Sequence, residues 1–224
     1  MNQKKTALRP KKSLGQNYLI DENICRNIID SFNVEKNDII IEIGSGKGEI
    51  TKYLITKCDN VFAIEIDKNN SSFLKTKFPG INIQNKDFLK IDLNDILNAN
   101  EKTSSIAKSF EGSKIRIIGN IPYNITTDIL FKLIDNRKLI KDSQLMIQEE
   151  VAQRIVAKPG SKTYGILSVM IQVFCEPKLL FKVSQNCFYP KPKVDSRIVH
   201  FDFNTNLLES ISDIYFFRKF VGHG

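Results

Sequence analysis

"DIIIEIGSGKGEI", residues 38–50, is the stretch on which the fold turns. Ile39, Ile40, Ile41 and Ile43 make a β-branched run suited to a strand buried on both faces, as in a parallel sheet covered by helices. Gly44, Gly46 and Gly48 follow at once, where a tight turn lets backbone approach a ligand before a helix starts. The spacing is GxGxG and not the dinucleotide fingerprint GxGxxG, so a pyrophosphate is not the expected guest. Taken alone, the turn reads equally well as a plain strand-to-helix connection.

The same alternation extends outward. "NVFAIEID" (60–67), "INIQNKD" (81–87), "KIRIIGN" (114–120) and "SQLMIQ" (143–148) read as further strands, with amphipathic segments near 48–58, 68–78 and 125–136 between them. This is a doubly wound α/β pattern with a mostly parallel sheet. After residue 149 a helix is predicted over 149–157, then a loop "AKPGSKT" and a second helix over 164–175. "PKLLFKVS" (177–184) and "DSRIVHFDF" (195–203) alternate in strand fashion around a proline-rich turn and predict a hairpin on the sheet edge. The polar stretch 98–113 reads as a surface loop or frayed helix.

Composition narrows the function classes. The chain has 224 residues, 42% of them hydrophobic, enough for one large core. No apolar run approaches the ~18–20 residues of a membrane span, and the basic N-terminus lacks an apolar leader, so a soluble cytoplasmic protein with no membrane partner is expected. Cys25, Cys58, Cys175 and Cys187 are scattered without a CxxC pair, which predicts reduced thiols and no metal. Lys and Arg outnumber Asp and Glu by 33 to 25, a net charge of +8 that suits a polyanionic partner without requiring one.

Two acids turn the glycine loop into a candidate nucleoside pocket. Glu65 ends the second strand, where a carboxylate can accept both hydroxyls of a ribose. Asp87 ends the third, in "NKDFL", and can accept from an exocyclic adenine amine. All three features fall at the carboxyl edge of the sheet, where open α/β folds bind ligands. A hydride carrier and S-adenosylmethionine (SAM) both contain adenosine, so the pocket by itself does not choose between them.

The fourth strand does, because "GNIPYNITTDIL" (119–130) ends it in Asn120, Ile121, Pro122 and Tyr123. An adenine exocyclic amine is a poor nucleophile while its lone pair is delocalised into the ring. The side-chain oxygen of Asn120 and the carbonyl of Ile121 can accept its two hydrogens and localise that pair. Pro122 stiffens the turn that aims them, and Tyr123 offers a ring for an unstacked base. No general base is needed, in keeping with a chain whose two histidines, His200 and His223, lie far from any motif.

With these motifs in order, the sequence resembles the ribosomal RNA adenine N6,N6-dimethyltransferases, and within them the small-subunit (16S-type) dimethyladenosine transferases. The likeness runs from "KKSLGQNYLID" through "IEIGSGKGEIT", "IEIDK", "NKDFLK", "GNIPYNITTDIL" and "QEEVAQRIVAKPGSKTYGILSVMIQ" to "CFYPKPKVDSRIV", almost the whole chain. The resemblance implies a Rossmann-like SAM-dependent methyltransferase fold with a seven-stranded sheet and an antiparallel edge hairpin. It implies that Asn17 and Leu19 form an amino-terminal lid on SAM. It also implies that Gly44, with Gly46 in the same loop, lies against the methionine part, Glu65 against the ribose and Asp87 against the adenine. Asn120 would touch both SAM and the target amine, and Tyr123 and Phe188 would sandwich the target adenine.

The substrate so implied is a pair of adjacent adenosines in the 3′-terminal hairpin of small-subunit rRNA, within a partly assembled subunit, met by a monomer. Macrolide-resistance methylases of large-subunit rRNA share the Asn-Ile-Pro-Tyr motif, but "VAKPGSKTYGILSV" is similar to the small-subunit enzymes. A non-catalytic assembly protein of the same fold is a third reading. Residues 1–205 are expected to form the methyltransferase domain, and 206–224 to begin a truncated C-terminal helical domain. Lys4, Lys5, Arg9, Lys11 and Lys12, with Lys158, Lys162, Lys191 and Lys193, are the candidate RNA contacts.

Overall fold

The computed structural model describes residues 9–98 and 113–203. Most of the 98–113 stretch, Lys4, Lys5, His223 and the expected C-terminal helical segment 206–224 lie outside the described residues. In chain order the elements are β1 (Tyr18–Leu19), α1 (Glu22–Phe32), β2 (Ile39–Ile43), α2 (Thr51–Lys57), β3 (Asn60–Ile64), α3 (Lys68–Lys77), β4 (Asn82–Gln84) and α4 (Leu93–Asn98). They continue with β5 (Ile115–Asn120), α5 (Thr126–Asp135), β6 (Ile140–Gln148), α6 (Glu149–Ile155), α7 (Ile166–Phe174), β7 (Glu176–Val183), β8 (Phe188–Tyr189) and β9 (Ser196–Asp202).

Seven strands form one sheet in the order β4-β3-β2-β5-β6-β9-β7, and β1 and β8 pair as a separate two-stranded ribbon. The pairs from β4 to β6 are parallel, whereas β9 runs antiparallel to both β6 and β7. The isoleucine run explains the centre of the sheet. Side chains alternate across a strand, so Ile39, Ile41 and Ile43 enter the larger core with Ile117, Leu133 and Phe174. Ile40 faces the other way, packing with Ile118, Met146 and Ile28. Both faces are covered by helices, as the unbroken apolar run requires.

The predicted hairpin is present: β9 slots between β6 and the edge strand β7. Helix α1 has no counterpart among the sequence-derived elements. Its signals are nonetheless local: Asp21 caps it, accepting from the N–H groups of Asn23 and Ile24, and Cys25, Ile28, Ile29 and Phe32 make its buried face at helical spacing.

At the end of the sheet away from the glycine loop, Arg116 is a buried anchor. Its guanidinium donates to both oxygens of Asp142 at 2.8 Å, to Asp38 at 2.7 Å, and to the carbonyls of Phe32 and Asn33. Asp142 and Asp38 together hold it charged, tying α1, β2, β5 and β6 at the base of the sheet.

Candidate active site

The opposite, carboxyl edge of the parallel strands holds a cleft open to solvent. Its wall brings together Gln16, Asn17, Tyr18 and Leu19 from the N-terminal strap, Glu42 from β2, Gly44, Ser45, Gly46 and Glu49 from the first turn, Glu65 after β3, and Asn120 to Tyr123 at the end of β5 and beyond it. Parallel strands all deliver their C-terminal residues to one edge, which is how segments so distant in sequence converge.

The glycine loop is built as its sequence suggests. Gly44, Gly46 and Gly48 have φ of 68°, 56° and 83°, left-handed values that suit residues without a Cβ. The Gly46 N–H donates to Glu65 Oε2 at 2.8 Å, and the Asp67 N–H donates to Glu65 Oε1 at 2.7 Å. Glu65 is thus fixed in orientation with its carboxylate in the cleft wall. Burial pushes it above the ordinary carboxylate range, against the pull of those two N–H groups.

Glu42 is a site residue that the sequence reading passed over. It projects from β2 with 2% exposure, accepts the Thr51 hydroxyl, and burial pushes it up to about 8. Glu49, accepting the Lys47 N–H at 3.0 Å, is also pushed up by burial. The available signal was an acid inside an otherwise apolar strand, two residues before the first glycine. Tyr18 and Asn70 were passed over too. The Tyr18 hydroxyl bonds Asn70 and Gln16, while Lys47 Nζ lies 4.4 Å from the centre of its ring.

The N-terminal strap is fastened across this edge. Lys11 pairs with Asp67 at 2.9 Å, the Gln16 amide donates to the same carboxylate, and β1 pairs with β8. Its contact with the Asn-Ile-Pro-Tyr turn is direct: Asn120 Nδ2 donates to the Asn17 carbonyl at 2.8 Å. The turn itself packs against β2, since a Cβ on Gly119 would stand 2.6 Å from the Ile43 carbonyl oxygen. Pro122 has φ −61°, and the Tyr123 hydroxyl lies 2.7 Å from the buried Ser196 hydroxyl.

Two expected site residues are not among the side chains that line this cleft. Asp87 is not in the cleft wall, and its carboxylate caps the turn Phe88–Lys90 by accepting from the Leu89 N–H. Phe188 is 3% exposed and packs with Leu19 in the smaller core. Among the described residues, no three His, Cys, Asp or Glu side chains gather as a metal site, and no helix is long and apolar enough to cross a membrane.

Comparison with known proteins agrees with this geometry. The ribosomal RNA adenine dimethylase family matches residues 7–223. A ribosomal RNA small subunit methyltransferase A of Chlorobium phaeobacteroides is 44% identical over 218 residues, covering 97% of this chain and 78% of the relative. A homologue of the same description in Francisella tularensis subsp. novicida is 41% identical over 95% of this chain and 78% of its own length. Among solved structures, a dimethyladenosine transferase from Plasmodium falciparum superposes with TM-score 0.69 at 30% identity, over 82% of this chain and 62% of that one. The 23S rRNA methyltransferase ErmE gives 0.71 at 26% identity, over 86% and 72%. A glycine loop, an acid after β3 and an Asn-Ile-Pro-Tyr turn converging on one sheet edge, in a chain matched over nearly its whole length, place this protein in the ribosomal RNA adenine dimethylase family.

Proposed function

We propose that this chain dimethylates the N6 amine of two adjacent adenosines in the 3′-terminal hairpin of small-subunit rRNA, with SAM as methyl donor, during ribosome biogenesis. The observation that carries the reading is the Asn120 amide at the mouth of the cleft, with its donor end engaged by the Asn17 carbonyl. Its acceptor end is left for an incoming amine.

The cleft stands at the carboxyl edge of the sheet, where open α/β folds bind nucleoside ligands. Gly44 and Gly46 let backbone approach the methionine part of SAM, and Glu65 would accept its ribose hydroxyls. Glu42 and Glu49, both pushed up by burial, would give up their protons as a sulfonium and an ammonium enter, and so complement those charges. Asn17 and Leu19, on the strap, would cover the bound SAM. Asp87 holds the Leu89 N–H through Oδ1, and its second oxygen would accept from the adenine amine. When bound, SAM supplies an electrophilic methyl group.

The protein's own part is to raise the amine's nucleophilicity. The Asn120 Oδ1 and the Ile121 carbonyl accept the two amine hydrogens and localise the nitrogen lone pair. Pro122 fixes the turn, and Tyr123, steadied by Ser196, presents a face to the unstacked base, an interaction worth roughly 1–3 kcal/mol. The amine becomes acidic only as the new bond forms, so its proton can pass to water. His200 stands at the far end of the sheet beside Asp142 and takes no part.

The test is methyl transfer from labelled SAM to small ribosomal subunits lacking the modification, followed by nucleoside analysis. Dimethyladenosine in small-subunit rRNA, abolished by Asn120→Ala, is the expected product. Dimethyladenosine formed only in large-subunit rRNA would shift the substrate to that of the macrolide-resistance enzymes. SAM binding without transfer would favour the non-catalytic assembly reading.

A further inference from the structure

The loop beside the cleft carries two adjacent aromatics that face opposite ways. In the β1–β8 ribbon, Leu19 pairs with Phe188 and Tyr18 pairs with Tyr189. Directly paired residues of an antiparallel ladder share a face, and neighbours along a strand alternate. Phe188 therefore turns inward with Leu19, whereas Tyr189 shares the opposite face of the ribbon with Tyr18, and both residues of β1 line the cleft. Phe188 is 3% exposed and Tyr189 is 61% exposed. Tyr189 does not line the cleft itself, but it is strand-paired with Tyr18, which does, so its exposed ring stands beside the cleft. Lys191 and Lys193, both exposed, follow on the same loop.

An exposed ring flanked by cations is the pattern that binds an unpaired nucleotide: the ring takes a base, and the lysines neutralise the backbone phosphates. We propose that Tyr189 is a stacking platform for the nucleotide adjacent to the target adenosine, with Lys191 and Lys193 holding the phosphates beside it. This rests on the RNA substrate proposed above and assigns a subsite within it. The target base occupies the cleft against Tyr123, and its neighbour lies beside the cleft. For a substrate of two adjacent adenosines, the platform holds one while the other is methylated.

Binding of a synthetic 3′-terminal hairpin carrying 2-aminopurine next to the target adenosine tests this. Tyr189→Ala should weaken binding roughly ten-fold, abolish the stacking quench of 2-aminopurine and leave SAM affinity unchanged. Tyr189→Phe, which keeps the ring, should bind as wild type and guards against a folding defect. On a hairpin abasic at that neighbouring position the Tyr189→Ala penalty should vanish. A penalty of equal size on the abasic hairpin, or wild-type binding and quench by Tyr189→Ala, would overturn the assignment. Methyl transfer by the wild-type protein to unmodified subunits is measured in parallel. Its absence would count against the enzymatic reading, while the binding comparison still decides the role of Tyr189.

Discussion

Asn120 Nδ2 donates to the main-chain oxygen of Asn17 at 2.8 Å, so the strap that covers the cleft also sets which way the reactive-turn amide points. The acceptor end of that amide is selected by a carbonyl 103 residues away in sequence. Asn120→Asp replaces the donor by a second carboxylate oxygen facing the Asn17 carbonyl. Both Asn120→Asp and Asn120→Ala should lower kcat for methyl transfer by roughly 100-fold or more. SAM affinity, measured by calorimetry, should change far less than kcat. A variant retaining more than a tenth of wild-type kcat would remove the amide from the mechanism.

The Tyr123 and Ser196 hydroxyls, 2.7 Å apart, join the reactive turn to the start of β9. Tyr123→Phe and Ser196→Ala each break this one hydrogen bond. Each should raise the KM for RNA about 2- to 10-fold, and the double variant should be no worse than either alone. Fully additive effects would mean that the two hydroxyls act independently.

Glu42 gives stability a pH dependence of definite sign. Burial raises it from its ordinary 4.5 to about 8, so between those values the folded chain keeps a proton that the unfolded chain releases. Its favourable contribution is complete below pH 4.5 and is lost as pH rises to about 8. The span corresponds to on the order of 4 kcal/mol. In thermal melts, the Tm of Glu42→Gln relative to wild type should climb steadily from pH 5 to pH 8. Parallel Tm curves for the two proteins would show that Glu42 is already ionised in the fold.

Arg116 serves stability alone, because its partners lie at the end of the sheet remote from the cleft. Arg116→Met leaves Asp142 and Asp38 without their cation, and both are nearly buried. The expected loss is roughly 3–5 kcal/mol in denaturant unfolding. Below its lowered midpoint the variant should bind SAM as wild type does. Weakened SAM binding in the folded variant would show that the two ends of the sheet are linked.

Local chemistry explains why so much could be read in advance. The isoleucine run at 39–43 suits only a strand covered on both faces. Gly44, Gly46 and Gly48 occupy backbone angles that other residues adopt at a cost. Gly119 is required because the neighbouring strand's Ile43 carbonyl leaves no room for a Cβ, a reason that no reading of one strand reveals. Helix α1 has equally local signals, the Asp21 cap and apolar residues at helical spacing, but it lies outside the strand–helix alternation from which the other elements are read.

By itself the sequence determined the alternation of strands and helices, the glycine turn, the Asn-Ile-Pro-Tyr turn and the family, since each rests on residues within a short window. Only the tertiary structure decided which groups meet. Pairing of β1 with β8 turned Phe188 inward and Tyr189 outward, a single step of strand alternation that composition does not record. The convergence of parallel strands at one edge buried Glu42 beside Glu65, and the strap laid across it brought Asn17 to Asn120. Such contacts join residues tens of positions apart, and their geometry is set by strand order and register.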